Sequence, residues 1–126
     1  MAAEDEVRDL MTAYAAASNR RDAAALTALY TEDGAIYSPF GPAALGRQAI
    51  DAAHREWLAA GEENKRLEIR ELRCNPDMAC CVVGYAADYP QQDGTTATES
   101  GVSVNVLLRQ RDGWKFHISS LTADET

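Results

Sequence analysis

Over the first sixty residues the apolar positions recur every three or four places, and from Lys65 onward they recur every two. Val7, Leu10, Met11, Tyr14 and Ala17 or Ser18 fall on one side of a helical wheel, which predicts an amphipathic helix over residues 4–18. Asn19-Arg20-Arg21-Asp22 interrupts it, and Asp22 can cap a second helix through AAALTALY. Thr31-Glu32-Asp33-Gly34 reads as a turn in which Asp33 bonds its own backbone. Ala35 to Ser38 is a short extended piece, because Pro39 removes a donor and keeps Ser38 out of helical geometry. A third helix follows over residues 46–60, with Ile50, Ala53, His54, Trp57 and Leu58 along one stripe and Gly61 to end it.

After Lys65 the pattern is that of strands. Leu67, Ile69, Glu71 and Arg73 alternate with Arg66, Glu68, Arg70 and Leu72. MACCVVGYAADY, a turn at residues 90–94, TATESGVSVNVLLRQ, the Asp112-Gly113 turn and WKFHISSLT complete a meander. Helices first and long antiparallel strands afterwards predict an α+β fold, with the helices packed on one face of the sheet. Alternation places Ser103, Asn105 and Leu107 on one face of their strand and Val102, Val104, Val106 and Leu108 on the other. In the last strand it groups Trp114, Phe116, Ile118 and Ser120 and turns His117 away from them.

The length of 126 residues suits one domain, 1–126. A net charge of −8 argues against nucleic acid or an anionic membrane as partner, since phosphate binding needs concentrated Lys and Arg. No apolar run is long enough to cross a bilayer, and the acidic start MAAEDEVRDL is unlike a signal peptide, so a cytoplasmic location is expected. Cys74, Cys80 and Cys81 lack a metal-binding spacing; adjacent residues of a strand point to opposite faces, so they read as small buried hydrophobes. No phosphate loop, dinucleotide fingerprint or metal cluster appears, so neither a cofactor nor a metal is expected.

Tyr14, the block NRRDAAALTALYTEDGAIYSPFGP, the helix entry ALGRQAI and the strand pair around RQRDGWKF together resemble the nuclear transport factor two-like superfamily. The likeness is to its SnoaL-like and ketosteroid-isomerase-like branch, and to the small SgcJ/EcaC-like proteins within it. The resemblance implies a cystatin-like cone, a curved sheet wrapped around three helices and open at one end. It places the aromatic piece before Pro39 at the mouth, with Tyr37, Ser38 and Phe40 looking into or rimming a pocket; the alternative is that Tyr37 and Phe40 plug the core.

In ketosteroid isomerases a helix-one tyrosine and a strand carboxylic acid hold the dienolate oxygen, and a carboxylate before the lip proline moves the proton. The matching positions here are Tyr14, Asn105 and Ser38. An amide can still donate, but Ser38 cannot accept a proton at neutral pH, so steroid isomerisation is not expected. His54 is the alternative base if the third helix faces the cavity; otherwise it lies at the helix boundary. The expected pocket therefore joins Tyr14, Tyr37, Ser38, Phe40, His54, Trp57, Asn105, Phe116, Ile118 and Ser120. Asp88 reads as a solvated strand-end carboxylate. Two functions follow: a cofactor-free isomerase- or cyclase-type enzyme on an apolar or polyketide-like carbonyl compound, or a non-catalytic ligand-binding or accessory protein. A homodimer through the outer sheet face is expected, since no further helix remains to cover the valine stripe.

Overall fold

The side chain of Asp22 accepts from Ala25 N at 3.0 Å and so starts the second helix as expected. The computed structural model describes residues 2–124. Its helices are α1 (Ala2–Asn19), α2 (Ala23–Ala28) and α3 (Arg47–Ala59). Its strands are β1 (Tyr30–Ser38), β2 (Gly41–Leu45), β3 (Glu63–Cys74), β4 (Met78–Pro90), β5 (Thr96–Gln110) and β6 (Gly113–Ala123). They form one curved sheet in the order β2-β1-β6-β5-β4-β3, antiparallel throughout except that β1 runs parallel to β6. This is the expected α+β cone. No helix among the described residues is long and apolar enough to cross a membrane.

The predicted helix faces meet the sheet. Val7, Leu10 and Met11 of α1 and Ile50 of α3 are buried with Val83, Leu107, Trp114 and Phe116 from the strands. Fully burying an aliphatic or aromatic side chain of this size contributes about 1.5–3 kcal/mol, so these layers hold the helices in the cone. Gly46 has φ +86 and Gly61 φ +100, left-handed conformations that suit glycine at the two ends of α3.

Three local expectations are corrected, and one strand is found where none was expected. Tyr30 to Gly34 is an irregular part of β1 rather than the end of α2 and a turn. The pairing of β1 with β6 slips between Tyr30 and Ala35, and Arg47 holds the Tyr30 carbonyl through Nε at 2.9 Å and Nη2 at 2.6 Å. The Pro-Ala-Ala-Leu piece is an edge strand, where a proline need not donate to a neighbour. In β3 the register against β4 shifts between Ile69 and Glu71, so Leu67, Ile69, Leu72 and Cys74 all pack on the core. Cys80 is exposed on the outer face, while Cys81 is buried and Cys74 half-buried, so only part of the cysteine reading holds.

Candidate functional site

The strand parity of β5 is regular, and it sets the floor of the cone. Ser103, Asn105 and Leu107 are buried, whereas Val104 on the other face is 46% exposed. On either side Asn105 pairs with Cys81 and Ser119, and Leu107 with Ala79 and Phe116.

In β6 the parity changes. Val106 pairs with Ile118 but the next residue, Leu107, pairs with Phe116, which leaves His117 as the extra residue of a bulge. A bulge exchanges the two faces beyond it. Ser119 is therefore buried and Leu121 joins the cavity wall, while Ser120 is exposed and Ile118 leaves the wall. The placement of Ile118 and Ser120 in the pocket is thus corrected. His117 points outward as expected, with Nδ1 2.9 Å from Thr31 Oγ1.

Tyr37, 47% exposed, also leaves the pocket, because its β1 neighbour Ile36 takes the inward position. Ser38 does not line the cavities; its hydroxyl accepts from Phe40 N at 3.2 Å. Phe40 does rim the mouth, where it faces Trp57, Tyr85 and Tyr89.

Tyr14, Trp57, Asn105 and Phe116 border one inner cavity of about 40 Å³, together with Tyr30, Ser119, Ile36 and Leu67. Such a space holds about three water molecules. A second compartment of about 30 Å³ lies toward the mouth and shares Tyr14, Trp57, Lys65, Tyr85 and Leu121 with the first. Of these shared side chains Trp57 is the bulkiest.

His54 is 2% exposed and lies behind Tyr14 rather than in the cavity wall. Its Nδ1 is 2.9 Å from the Ile50 carbonyl, which can only accept, so Nδ1 carries the proton and donates. The Nε2 lone pair then accepts the Tyr14 hydroxyl at 2.8 Å. Burial depresses the pKa of His54, with the Ile50 bond acting against it, so the ring is neutral at pH 7. The expected direct base is a support for Tyr14 instead.

Asn105 is similarly engaged. Its Nδ2 donates to the Cys81 carbonyl at 3.2 Å and to Ser103 Oγ at 3.0 Å, and its Oδ1 accepts from Ser119 Oγ at 2.7 Å. Burial raises the Tyr14 phenol well above its usual range, with Tyr30 and Glu62 adding to the effect. Burial pushes Tyr30 up to about 12, although hydrogen bonding with Ser119 and Tyr14 pulls the other way. Both phenols stay protonated at neutral pH.

The mouth holds charges that the sequence reading missed. Glu62 is 6% exposed and accepts from Tyr89 Oη at 2.8 Å and Ser18 Oγ at 3.2 Å. Lys65 Nζ stands 3.6 Å from the same carboxylate. Arg21 fastens this turn by donating to the carbonyls of Glu62 and Leu58. Burial, with Glu62 next, raises the Tyr89 phenol far above its usual range. Glu62 follows directly on the glycine that ends α3, within the polar run EENK, and such a run reads as solvated surface. Asp88 is at the outer strand end, bonded to Asn64, Thr98 and Arg66, as expected.

A family model described as a SnoaL-like domain matches residues 7–123. Among solved structures the chain is similar to a ketosteroid isomerase-like protein from Erwinia carotovora atroseptica, at 21% identity, 94% coverage of each chain and TM-score 0.81. It is also similar to a domain of unknown function with a cystatin-like fold from Nostoc punctiforme, at 22% identity, covering 100% of this chain and 80% of that one, with TM-score 0.84. A nuclear transport factor 2-like superfamily protein from Salmonella enterica gives 13% identity, 99% and 93% coverage and TM-score 0.83. At these identities the likeness speaks for the fold. No curated protein matches the chain.

Proposed function

Since this chain belongs to the SnoaL-like domain family, we propose that it is a small-molecule pocket protein acting in the cytoplasm on an apolar or polyketide-like carbonyl compound. The chemistry that suits the pocket is a cofactor-independent isomerase- or cyclase-type conversion. One observation carries this reading: Tyr14, Tyr30, Ser119 and Asn105 converge on one otherwise largely apolar cavity. A few convergent polar groups fix a ligand's orientation while apolar burial supplies affinity. The ligand's oxygen lies toward these groups and its apolar body toward Trp57, Leu67 and Phe116. Tyr14 has a single O–H, held by His54, so polarising a carbonyl requires that hydrogen to turn to the ligand. His54 is then a positioning residue. Steroid isomerisation is set aside, because Ser38 occupies the base position and is bonded to Phe40 N.

The test uses phenol and 2-naphthol as enol mimics. Tyr14→Phe is expected to weaken their binding by about 1–3 kcal/mol, measured by calorimetry. Unchanged affinity alongside lowered stability would mean that Tyr14 serves packing alone.

A second reading, a homodimeric accessory protein without turnover, is favoured by the character of the inner cavity. Among the described residues, the groups that line it include no carboxylate and no histidine. The dimer would form through the outer sheet face, where Met78 and Val104 are 48% and 46% exposed and Val102 and Val106 flank Val104. A monomeric mass by sedimentation at micromolar concentration would overturn the dimer.

A further inference from the structure

Lys65 lies near the start of β3, and its side chain is only 9% exposed. An ammonium has three hydrogens to donate. Its nearest carboxylate oxygen, Glu62 Oε2, is 3.6 Å away, beyond the 2.7–2.9 Å typical of charge-assisted bonds, and already accepts from Tyr89 at 2.8 Å. The ammonium instead lies 5.9 Å from the centre of the Tyr14 ring and 5.5 Å from that of Tyr85. Both rings line both compartments.

The compartments differ in charge. Glu62 and Glu99 line the mouth and not the inner cavity, whereas Lys65 is the one charged residue lining the inner cavity among the described residues. The other polar groups there include the hydroxyls of Tyr30 and Ser103, and those of Tyr14 and Ser119, which donate to His54 and Asn105 and must turn to reach a ligand. A largely buried ammonium whose paired carboxylate stands at 3.6 Å gains from an anion that comes within hydrogen-bonding distance.

We propose that the inner cavity is an oxyanion compartment and that the ligand of this pocket carries a carboxylate held by Lys65 Nζ. This rests on the reading of the cone as a small-molecule site and specifies its ligand class. The single ammonium and the space for about three waters fit a planar monoanion. A phosphate dianion would set a second negative charge beside the Glu62 carboxylate, which a monoanion avoids.

The experiment titrates the full chain with acetate and benzoate, and in parallel with acetamide and benzamide, followed by calorimetry and amide NMR shifts. The acids should bind at least about tenfold tighter than their amides, the range expected for a hydrogen bond to a charged group. Lys65→Met should erase that preference and Lys65→Arg should retain part of it. Glu62→Gln should tighten the acids, because it removes the competing negative charge. Equal binding of acids and amides, or an unchanged preference in Lys65→Met, would overturn the oxyanion compartment while leaving the pocket reading intact. Failure of the acids, the amides and the phenol probes alike would overturn both. Should Lys65→Met fail to fold, Glu62→Gln decides: acid affinity that stays level or falls means the pair serves structure only, and the proposal is lost.

Discussion

The floor and the mouth of the cone are both polar, yet they are built on opposite terms. At the floor two neutral sets are closed by hydrogen bonds, His54 with Tyr14 and Ser119 with Asn105 and Ser103, and Asn105 has both amide hydrogens engaged. At the mouth a carboxylate and an ammonium are buried together at 3.6 Å, a distance that leaves the ammonium incomplete. A completed neutral network specifies shape, since every member is satisfied only in one arrangement. An incomplete charged one is where an incoming group has most to add.

The largest effect should come from breaking the floor. His54→Leu removes the acceptor of the Tyr14 hydroxyl from a side chain that is 2% exposed, and should lower stability by about 2–4 kcal/mol in chemical denaturation. The mouth should respond less: Tyr89→Phe removes one hydroxyl bond to the Glu62 carboxylate and should cost about 1–2 kcal/mol. A loss at Tyr89 larger than that at His54 would reverse the comparison.

Acid sharpens it. The folded pKa of His54 lies below its ordinary 6.5, so the unfolded chain binds the extra proton first. The stability from keeping this ring neutral is fully present above pH 6.5 and is lost as pH falls toward the depressed value. Denaturation midpoints should therefore fall below pH 6.5 in the parent, and fall less steeply in His54→Leu. Parallel slopes would mean that the ring does not titrate with folding.

The smallest effect tests the bulge. Ser119→Val removes a buried donor to Asn105 and should cost about 1 kcal/mol, whereas Ser120→Val on the outer face should stay within about 0.5 kcal/mol. Equal effects would mean that the two serines are not on different faces.

That last pair also marks where the sequence is legible. The helix stripes carried the fold, because Val7, Leu10, Met11, Ile50 and His54 bury where their spacing puts them. Alternation placed Asn105 and Ser103 inside because β5 runs regularly through them. It failed in β6, where one extra residue, His117, exchanges the faces with no proline or glycine to announce it. The same happened in β3 around Arg70. Tyr30 was hidden for another reason: AAALTALY continues a helical pattern, and only Arg47, seventeen residues later in sequence, holds its carbonyl in the strand. Glu62 and Lys65 carry no local pattern, since their burial comes from α1, α3 and β4 meeting at one point.

The parallel pairing of β1 with β6 has a consequence for the order of assembly. Strands β3 to β6 pair with their immediate neighbours in sequence, so most of the sheet closes through local turns. β1 and β2 join it only through β6, at the far end of the chain, with Phe116 N also bonded to the Leu29 carbonyl at 2.8 Å. Contacts of such separation form slowly because the intervening loop must first be closed. During synthesis Tyr14, Tyr30 and His54 thus emerge long before Phe116 and Ser119, and the inner cavity is the last part of the molecule to come into being.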